Sequence, residues 1–339
     1  MLVAIAHHDA PTREALKKIL MSQAGCRIVW SAADGPEVVR QCRVEKPDLL
    51  LLDLALSSTG SLTIREVMKT SPCAILLLTD SMESNAAMVF EAMGHGVLDA
   101  VRVFREKTGV MQGEKELVKK FSTIGKLIGK PEHQVTADST TVRTRDSLPP
   151  LIAIGASTGG PKALSVILSA LPADPGAAIV IVQHLDEQFS VGLAEWLNGQ
   201  CALKVVVARE GDRPRRDEAL IASTNDHLIL GKDLVLHYTG DPRNYPYRPS
   251  VDEFFGSLEK HWPRRDAAVL LTGMGRDGGA GMAALRKAGW HTIAQDEKTS
   301  VVYGMPAAAV ELGGAAEILP LEAIAAAVMK RLKGNTSKG

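Results

Sequence analysis

The chain has 339 residues, with 39 lysines and arginines balanced by 39 aspartates and glutamates, so its formal charge is zero with the nine histidines taken as neutral. A dedicated nucleic-acid binder normally carries a basic excess, and none is present. At ~150 residues per domain the length predicts two domains, and a hydrophobic fraction of 45% is enough for ordinary buried cores.

No apolar run approaches the ~18 residues of a membrane span; the strongest, Leu49–Leu52 and Ala177–Val182, have strand length. The start, Met1-Leu-Val-Ala-Ile-Ala-His7, lacks the basic flank and the length of a signal peptide, which predicts a cytoplasmic protein without membrane insertion. Cys26, Cys42, Cys73 and Cys201 form no CxxC pair; they read as reduced core thiols and not as a zinc site.

From the N-terminus, short apolar runs alternate with helical patterns: Leu2–Ala6, Arg27–Trp30, Asp48–Asp53, Ala74–Thr79 and Val97–Val101. Five strands with intervening helices predict one open parallel sheet. Ligands of such sheets sit beyond the carboxyl ends of the strands. Asp9 follows the first strand, Asp53 closes the third and Thr79 closes the fourth, so two carboxylates and a hydroxyl should converge. Such a cluster can hold Mg²⁺ through oxygen and let one carboxylate attack a phosphoryl group. Equally, aspartates at strand ends can simply cap the following helices.

On these residues, positions 1–106 resemble a response-regulator receiver domain of flavodoxin-like fold. The resemblance implies phosphorylation of Asp53 by a sensor histidine kinase, with Mg²⁺ held by Asp9 and Asp53 and with Thr79 in the pocket. Two features depart from that pattern. His8-Asp9 stands where two adjacent acids are usual, and the customary fifth-strand lysine falls at Val103, leaving Arg102 or Arg105 as substitutes of different geometry.

Residues 107–149 read as a linker. Its first part is a basic helical stretch whose lysines (Lys115, Lys119, Lys120, Lys126, Lys130) form a solvated face, and its second part is polar and aperiodic. Strand and helix patterns resume for a second domain, residues 150–334, with the terminal Gly-Asn-Thr-Ser-Lys-Gly frayed.

Leu151-Ile-Ala-Ile154 leads into Gly155-Ala-Ser157-Thr-Gly159-Gly160-Pro161, a strand, a glycine turn and a helix start. Gly155-x-Ser157-x-Gly159 matches the nucleophile-elbow pattern. Free amides at the helix start can stabilise an oxyanion. A phosphate-binding turn is the competing reading, although neither GxxxxGK[ST] nor GxGxxG is present. A serine needs a positioned base, and His184 closes the next strand, Ala177–Val182. Asp277 follows a third strand, Asp266–Thr272, beside another glycine-rich turn and could orient the imidazole. Taken singly, each has a plainer reading as packing residue or cap; their convergence at one sheet edge favours a triad. The chain order Ser, His, Asp differs from that of the α/β-hydrolases.

Gly155–Gly160, Gln183-His184, Arg248-Pro-Ser-Val-Asp252 and Leu271-Thr-Gly-Met-Gly-Arg-Asp-Gly278 together resemble the catalytic domain of the chemotaxis protein-glutamate methylesterases, the CheB family, from Leu151 to about Leu332. The resemblance implies a doubly wound, mostly parallel α/β domain without an esterase cofactor. It makes Ser157 the nucleophile, His184 the base and acid and Asp277 the orienting carboxylate, with Thr158 and the Met274 backbone supporting the site. Its implied substrate is a methylated chemoreceptor bundle, with deamidation of receptor glutamines by the same chemistry and control by the receiver. Ser223-Thr224 departs from a common Pro-Gly. The stretches Ser71–Ile75, Val89–Ala100 and Asn244–Ser250 look most like the Wsp surface-signalling branch. A non-catalytic scaffold and a DNA-binding regulator are the other classes; the complete triad argues against the first, and the β/α pattern of the second domain against the second.

Overall fold

The computed structural model describes residues 1–23, 25–57, 62–106, 110–127, 148–243, 245 and 247–336. The chain divides into two compact units, Met1–Glu132 and His133–Gly339.

The first unit alternates β1 (Leu2–Ala6), α1 (Ala10–Met21), β2 (Arg27–Ala32), α2 (Gly35–Val44), β3 (Leu49–Asp53), α3 (Leu62–Thr70), β4 (Ala74–Thr79), α4 (Met82–Gly94) and β5 (Asp99–Arg102). The strands pair in parallel in the order β2-β1-β3-β4-β5, the flavodoxin-like arrangement. Leu49–Leu52 are all fully buried, which is why β3 reads as an unbroken apolar run and not as an alternation. Side-chain caps start the helices: Asp9 for α1, Asp34 for α2 and Ser81 for α4, with a proline in the first turn of α1 and α2.

A short ribbon, β6 (Phe104–Arg105) with β7 (Met111–Gln112), leads into α5 (Glu114–Leu127). This helix corrects the boundary expected at residue 106. Leu117, Phe121 and Ile124 pack into the same core as Val3, Ile5 and Val101, so the helix completes the first unit. Lys120 is correspondingly no solvated charge: it bonds the Asp99 carboxylate and the Ala100 carbonyl. Lys130 and the polar part of the expected linker lie outside the described residues.

The second unit comprises β8 (Leu151–Ala156), α6 (Gly160–Ala170), β9 (Ala178–Gln183), α7 (Glu187–Gln200), β10 (Lys204–Val207) and β11 (Glu218–Ile221). An antiparallel pair, β12 (His227–Leu230) and β13 (Leu236–Thr239), precedes α8 (Val251–His261), β14 (Ala267–Leu270), α9 (Gly279–Lys287), β15 (His291–Gln295), α10 (Met305–Glu311), β16 (Glu317–Leu319) and α11 (Leu321–Thr336). The expected fraying from Gly334 is overtaken by α11, which runs on to Thr336.

Its main sheet has seven parallel strands in the order β10-β11-β9-β8-β14-β15-β16. One face packs Leu151, Ala153 and Val180 against Phe254, Phe255, Met282 and Leu285; the intervening residues Ile152, Ile154, Ile179 and Ile181 are equally buried. Strand order runs outward in opposite directions from β8 and β14, so the topological switch point lies between them, where ligand sites form in such sheets. All four cysteines are free thiols; Cys42 is buried and the other three are half-buried. Among the described residues no helix is long and apolar enough to cross a membrane.

Candidate active site

Ser157, His184 and Asp277 follow β8, β9 and β14, three adjacent strands around the switch point. Backbone bonds fix the loops to one another: the Ser157 amide donates to the Thr272 carbonyl at 3.0 Å and the His184 amide to the Ala156 carbonyl at 2.9 Å. Gly273 lies against Ser157, since a methyl group on it would sit 2.7 Å from Ser157 Cβ.

The three glycines of the serine turn have separate tasks. Gly159 has a φ of +78° and makes the turn. Gly160 lets the Gln183 amide in close, where its Nε2 donates to the Ser157 carbonyl at 2.9 Å. Gly155 remains in the strand and admits Val251 of α8, whose Cγ1 would be 2.4 Å from a Cβ. Among the described residues the non-glycine residues with positive φ are Asp217 and Leu234, so Ser157 turns without the strained backbone of an α/β-hydrolase elbow. The sequence match to that pattern therefore rests on spacing and not on the same geometry.

His184 Nε2 lies 2.7 Å from Asp277 Oδ2, with the aspartate side chain fully buried. Asp277 also accepts from the Ser250 hydroxyl at 2.8 Å and from the Val251 and Asp252 amides at 2.7 and 3.1 Å, donors at the N-terminus of α8. Burial pushes its pKa up, but the hydrogen bond and charge of His184 together with those amides prevail and hold it below the ordinary carboxylate value. An ionised Asp277 assigns the imidazole proton to Nε2. His184 Nδ1 is left buried without a partner among the described residues. Tyr247 stacks on the other side of this arrangement, its ring 4.6 Å from the imidazole and within 4° of parallel.

Thr158 and Met274 each carry a backbone amide close to Ser157 in chain or fold. Neither backbone N–H donates to an acceptor among the described residues, and both adjoin Ser157 in the turn or across the Gly273 contact. Thr272 braces both loops, its hydroxyl donating to the Thr158 carbonyl at 2.9 Å while accepting from the Val302 amide. Tyr247, Ser250, Gln183 and Thr272 were not legible as site residues. Ser250 carried a readable signal, the Ser-x-x-Glu pattern with Glu253 that starts α8. At the departure noted above, Ser223 closes its loop by donating to the Ala208 carbonyl at 2.7 Å.

In the first unit, Asp53, Thr79 and Asp9 all line one open cleft of about 780 Å³, but they do not act together. Asp9 caps α1, taking both the amide and the hydroxyl of Thr12, which hold its carboxyl below the usual range. Thr79 Oγ1 donates to the Ser81 carbonyl and accepts from Asn85. Asp53 is buried and faces histidines: His8 Nδ1 bonds its Oδ2, and His7 Nδ1 lies 3.7 Å away. Mg²⁺ requires a near-octahedral oxygen shell. One carboxylate with two imidazoles, beside an Asp9 committed to capping, does not fit that ion. Val103, at the lysine position, is buried; Arg102 donates to the Asp80 carbonyl and lies 4.7 Å over the Phe104 ring, while Arg105 lines the cleft.

The two units thus define a class: a doubly wound parallel α/β domain with serine, histidine and carboxylate at its switch point, preceded by a receiver-type domain. Residues 152–328 match the family model described as CheB methylesterase, and residues 3–102 match that of the response regulator receiver domain. The protein-glutamate methylesterase/protein-glutamine glutaminase 2 of Burkholderia orbicola is 50% identical over 315 residues, covering 92% of this chain and 93% of that protein. A protein of the same name from Cupriavidus metallidurans is 46% identical over 332 residues, with 96% of each chain covered. The crystal structure of the Thermotoga maritima CheB methylesterase catalytic domain is 33% identical with a TM-score of 0.50, covering 54% of this chain and 99% of that one. The chain belongs to the CheB methylesterase family and carries its receiver domain.

Proposed function

We propose that this chain is a protein-glutamate methylesterase and glutaminase that uses Ser157, His184 and Asp277 through an acyl-enzyme. The observation that carries the reading is the asymmetry of the His184 ring: Nε2 is held by Asp277, and the buried Nδ1 has no partner among the described residues. In this reading Nδ1 is the base. It takes the Ser157 proton as the hydroxyl oxygen attacks the γ-carbonyl of a methylated glutamate. The resulting oxyanion is received by the Thr158 and Met274 amides, which donate to no acceptor among the described residues. Protonated His184 then hands its proton to the departing methoxy oxygen, and methanol leaves. Water, deprotonated at the same nitrogen, attacks the acyl-enzyme, glutamate is released and Ser157 regains its proton. With a glutamine substrate the leaving group is ammonia and the other steps are unchanged.

The substrate is a side chain on the helical cytoplasmic bundle of a chemoreceptor, of Wsp type by the sequence resemblance, and the enzyme acts in the cytoplasm. The receiver is its control element, and Asp53 becomes available to a sensor kinase only when the His8 pair on its Oδ2 opens. Methanol release from a methylated receptor fragment tests the chemistry. His184→Ala should lose at least ~10²–10⁴-fold in rate, the usual weight of a positioned base, and Ser157→Ala, which removes the nucleophile, should abolish turnover. Wild-type turnover in Ser157→Ala would refute the assignment.

A further inference from the structure

Beside Asp53, the cleft of the first unit holds two imidazoles that neither the esterase chemistry nor an Mg²⁺-dependent receiver uses. One donor atom each from His7, His8 and Asp53 lies within 4.8 Å of the others. The topology brings them together: both histidines follow β1 and Asp53 ends β3, its immediate parallel neighbour at the switch point of this sheet. We propose that this cluster is a binding site for a borderline divalent transition-metal ion, of which Zn²⁺ is the natural probe.

Donor chemistry selects the ion. Imidazole nitrogen suits Zn²⁺, Co²⁺ and Ni²⁺, whereas Mg²⁺ and Ca²⁺ take oxygen shells. Two nitrogens and one carboxylate oxygen form a three-ligand zinc set, with a fourth position for water or an external ligand. The open cleft provides room for that fourth ligand.

Geometry requires His8 to move. Bonds of ~2.0–2.1 Å in a tetrahedron put ligand atoms roughly 3.3 Å apart, so the widest separation must close while the direct His8–Asp53 hydrogen bond opens to admit the ion. His8 can supply most of the movement, because its side chain is 61% exposed, while those of His7 and Asp53 are 12% and 7% exposed and held in place. Asp53 is oriented from behind: the Ala55 amide donates to Oδ1 at 3.0 Å and leaves Oδ2 toward the histidines. His7 Nδ1 takes the Asp9 amide at 3.0 Å, and capture through that nitrogen exchanges this bond for the metal. The two imidazoles are already stacked, centroids 4.8 Å apart.

Calorimetric titration of the metal-stripped full chain tests the site, with Zn²⁺ and Mg²⁺ added separately and the visible absorption of the Co²⁺ form reporting nitrogen ligation. The wild type should bind Zn²⁺, and millimolar Mg²⁺ should not displace it. His7→Ala and His8→Ala should each weaken zinc binding by at least about tenfold, since loss of an outer partner alone costs that much. His237→Ala serves as control, because His237 forms a separate histidine-carboxylate cluster with Glu210 and Asp233 in the second unit. It should leave the affinity unchanged. His8→Asp should shift preference toward Mg²⁺, a gain that misfolding cannot imitate. Absence of zinc binding, zinc binding undiminished in both alanine variants, or displacement by Mg²⁺ would each overturn the proposal.

Discussion

Asp277 shows how one carboxylate can be both anchor and electrostatic partner. Its oxygens take the Ser250 hydroxyl, the Val251 and Asp252 amides and the His184 ring, so the positive end of α8 and the imidazole share one negative charge. Because its pKa in the folded state lies below the ordinary 3.8, the ionised form stabilises the fold above that value, and the contribution is lost as pH falls through the folded value. Asp277→Asn should therefore be less stable than wild type at neutral pH, by about 1–3 kcal/mol for a lost charged hydrogen-bond acceptor. Urea unfolding should show this difference shrinking as the pH is lowered below 3.8; a difference independent of pH would rule out the ionised network. The same variant should lose on the order of 10⁴ in kcat, because an amide nitrogen facing Nε2 forces the proton onto Nδ1, the nitrogen that the proposed mechanism needs free. Ser157, His184 and Asp277 were legible because strand ends in a parallel sheet are predictable from apolar runs. Tyr247 was not, because its stacking on His184 depends on where the segment before α8 returns, and no local pattern encodes that return.

At the level of elements, the site depends on how closely α8 approaches β8. Gly155 is the point of contact: a Cβ there would meet Val251 Cγ1 at 2.4 Å and Leu270 Cδ1 at 3.0 Å. Val251 is also the residue whose amide holds Asp277, so packing and the geometry of the proposed triad share one contact. Gly155→Ala should displace the start of α8, destabilise the chain by ~1–3 kcal/mol as overpacking commonly does, and lower methanol release with Ser157 and His184 both present. Thermal unfolding and turnover together check this; unchanged values for both would mean the helix can retreat freely. From sequence, Gly155 read as a turn residue, since a spacing pattern does not distinguish a glycine that bends the chain from one that admits a neighbour. The central strands were legible for the opposite reason: burial on both faces leaves runs such as Leu49–Leu52 with no polar interruption. Edge strand β16 is three residues long and mostly exposed, so it carries no such run. In sequence, helix α5 reads as linker because its lysines dominate its composition, although Leu117, Phe121 and Ile124 keep a helical period.

Across the whole chain, a control unit precedes a catalytic one, and the chemistry of the control unit limits what a phosphoryl signal can do. Asp53 must offer a free oxygen to a phosphodonor, yet Ala55 occupies Oδ1 and the backbone and ring of His8 occupy Oδ2. An aspartyl phosphate would then need a cation. Val103 stands in place of the lysine, Lys120 is committed to Asp99 and Ala100, and the Arg102 guanidinium is held at Asp80 and Phe104. A small-molecule phosphodonor should accordingly leave methanol release by the full chain near its basal rate. A chain beginning near Asp146 should be faster if the receiver restrains the esterase, and it sets the rate that full release can reach. Restoring oxygen and ammonium together, with His8→Asp and Val103→Lys, should let the phosphodonor carry the full chain toward that rate. Strong activation of the wild type by phosphodonor would show that the His8 pair opens readily and that another cation serves the phosphate, and equal rates for the full and shortened chains would remove the receiver from control of catalysis altogether.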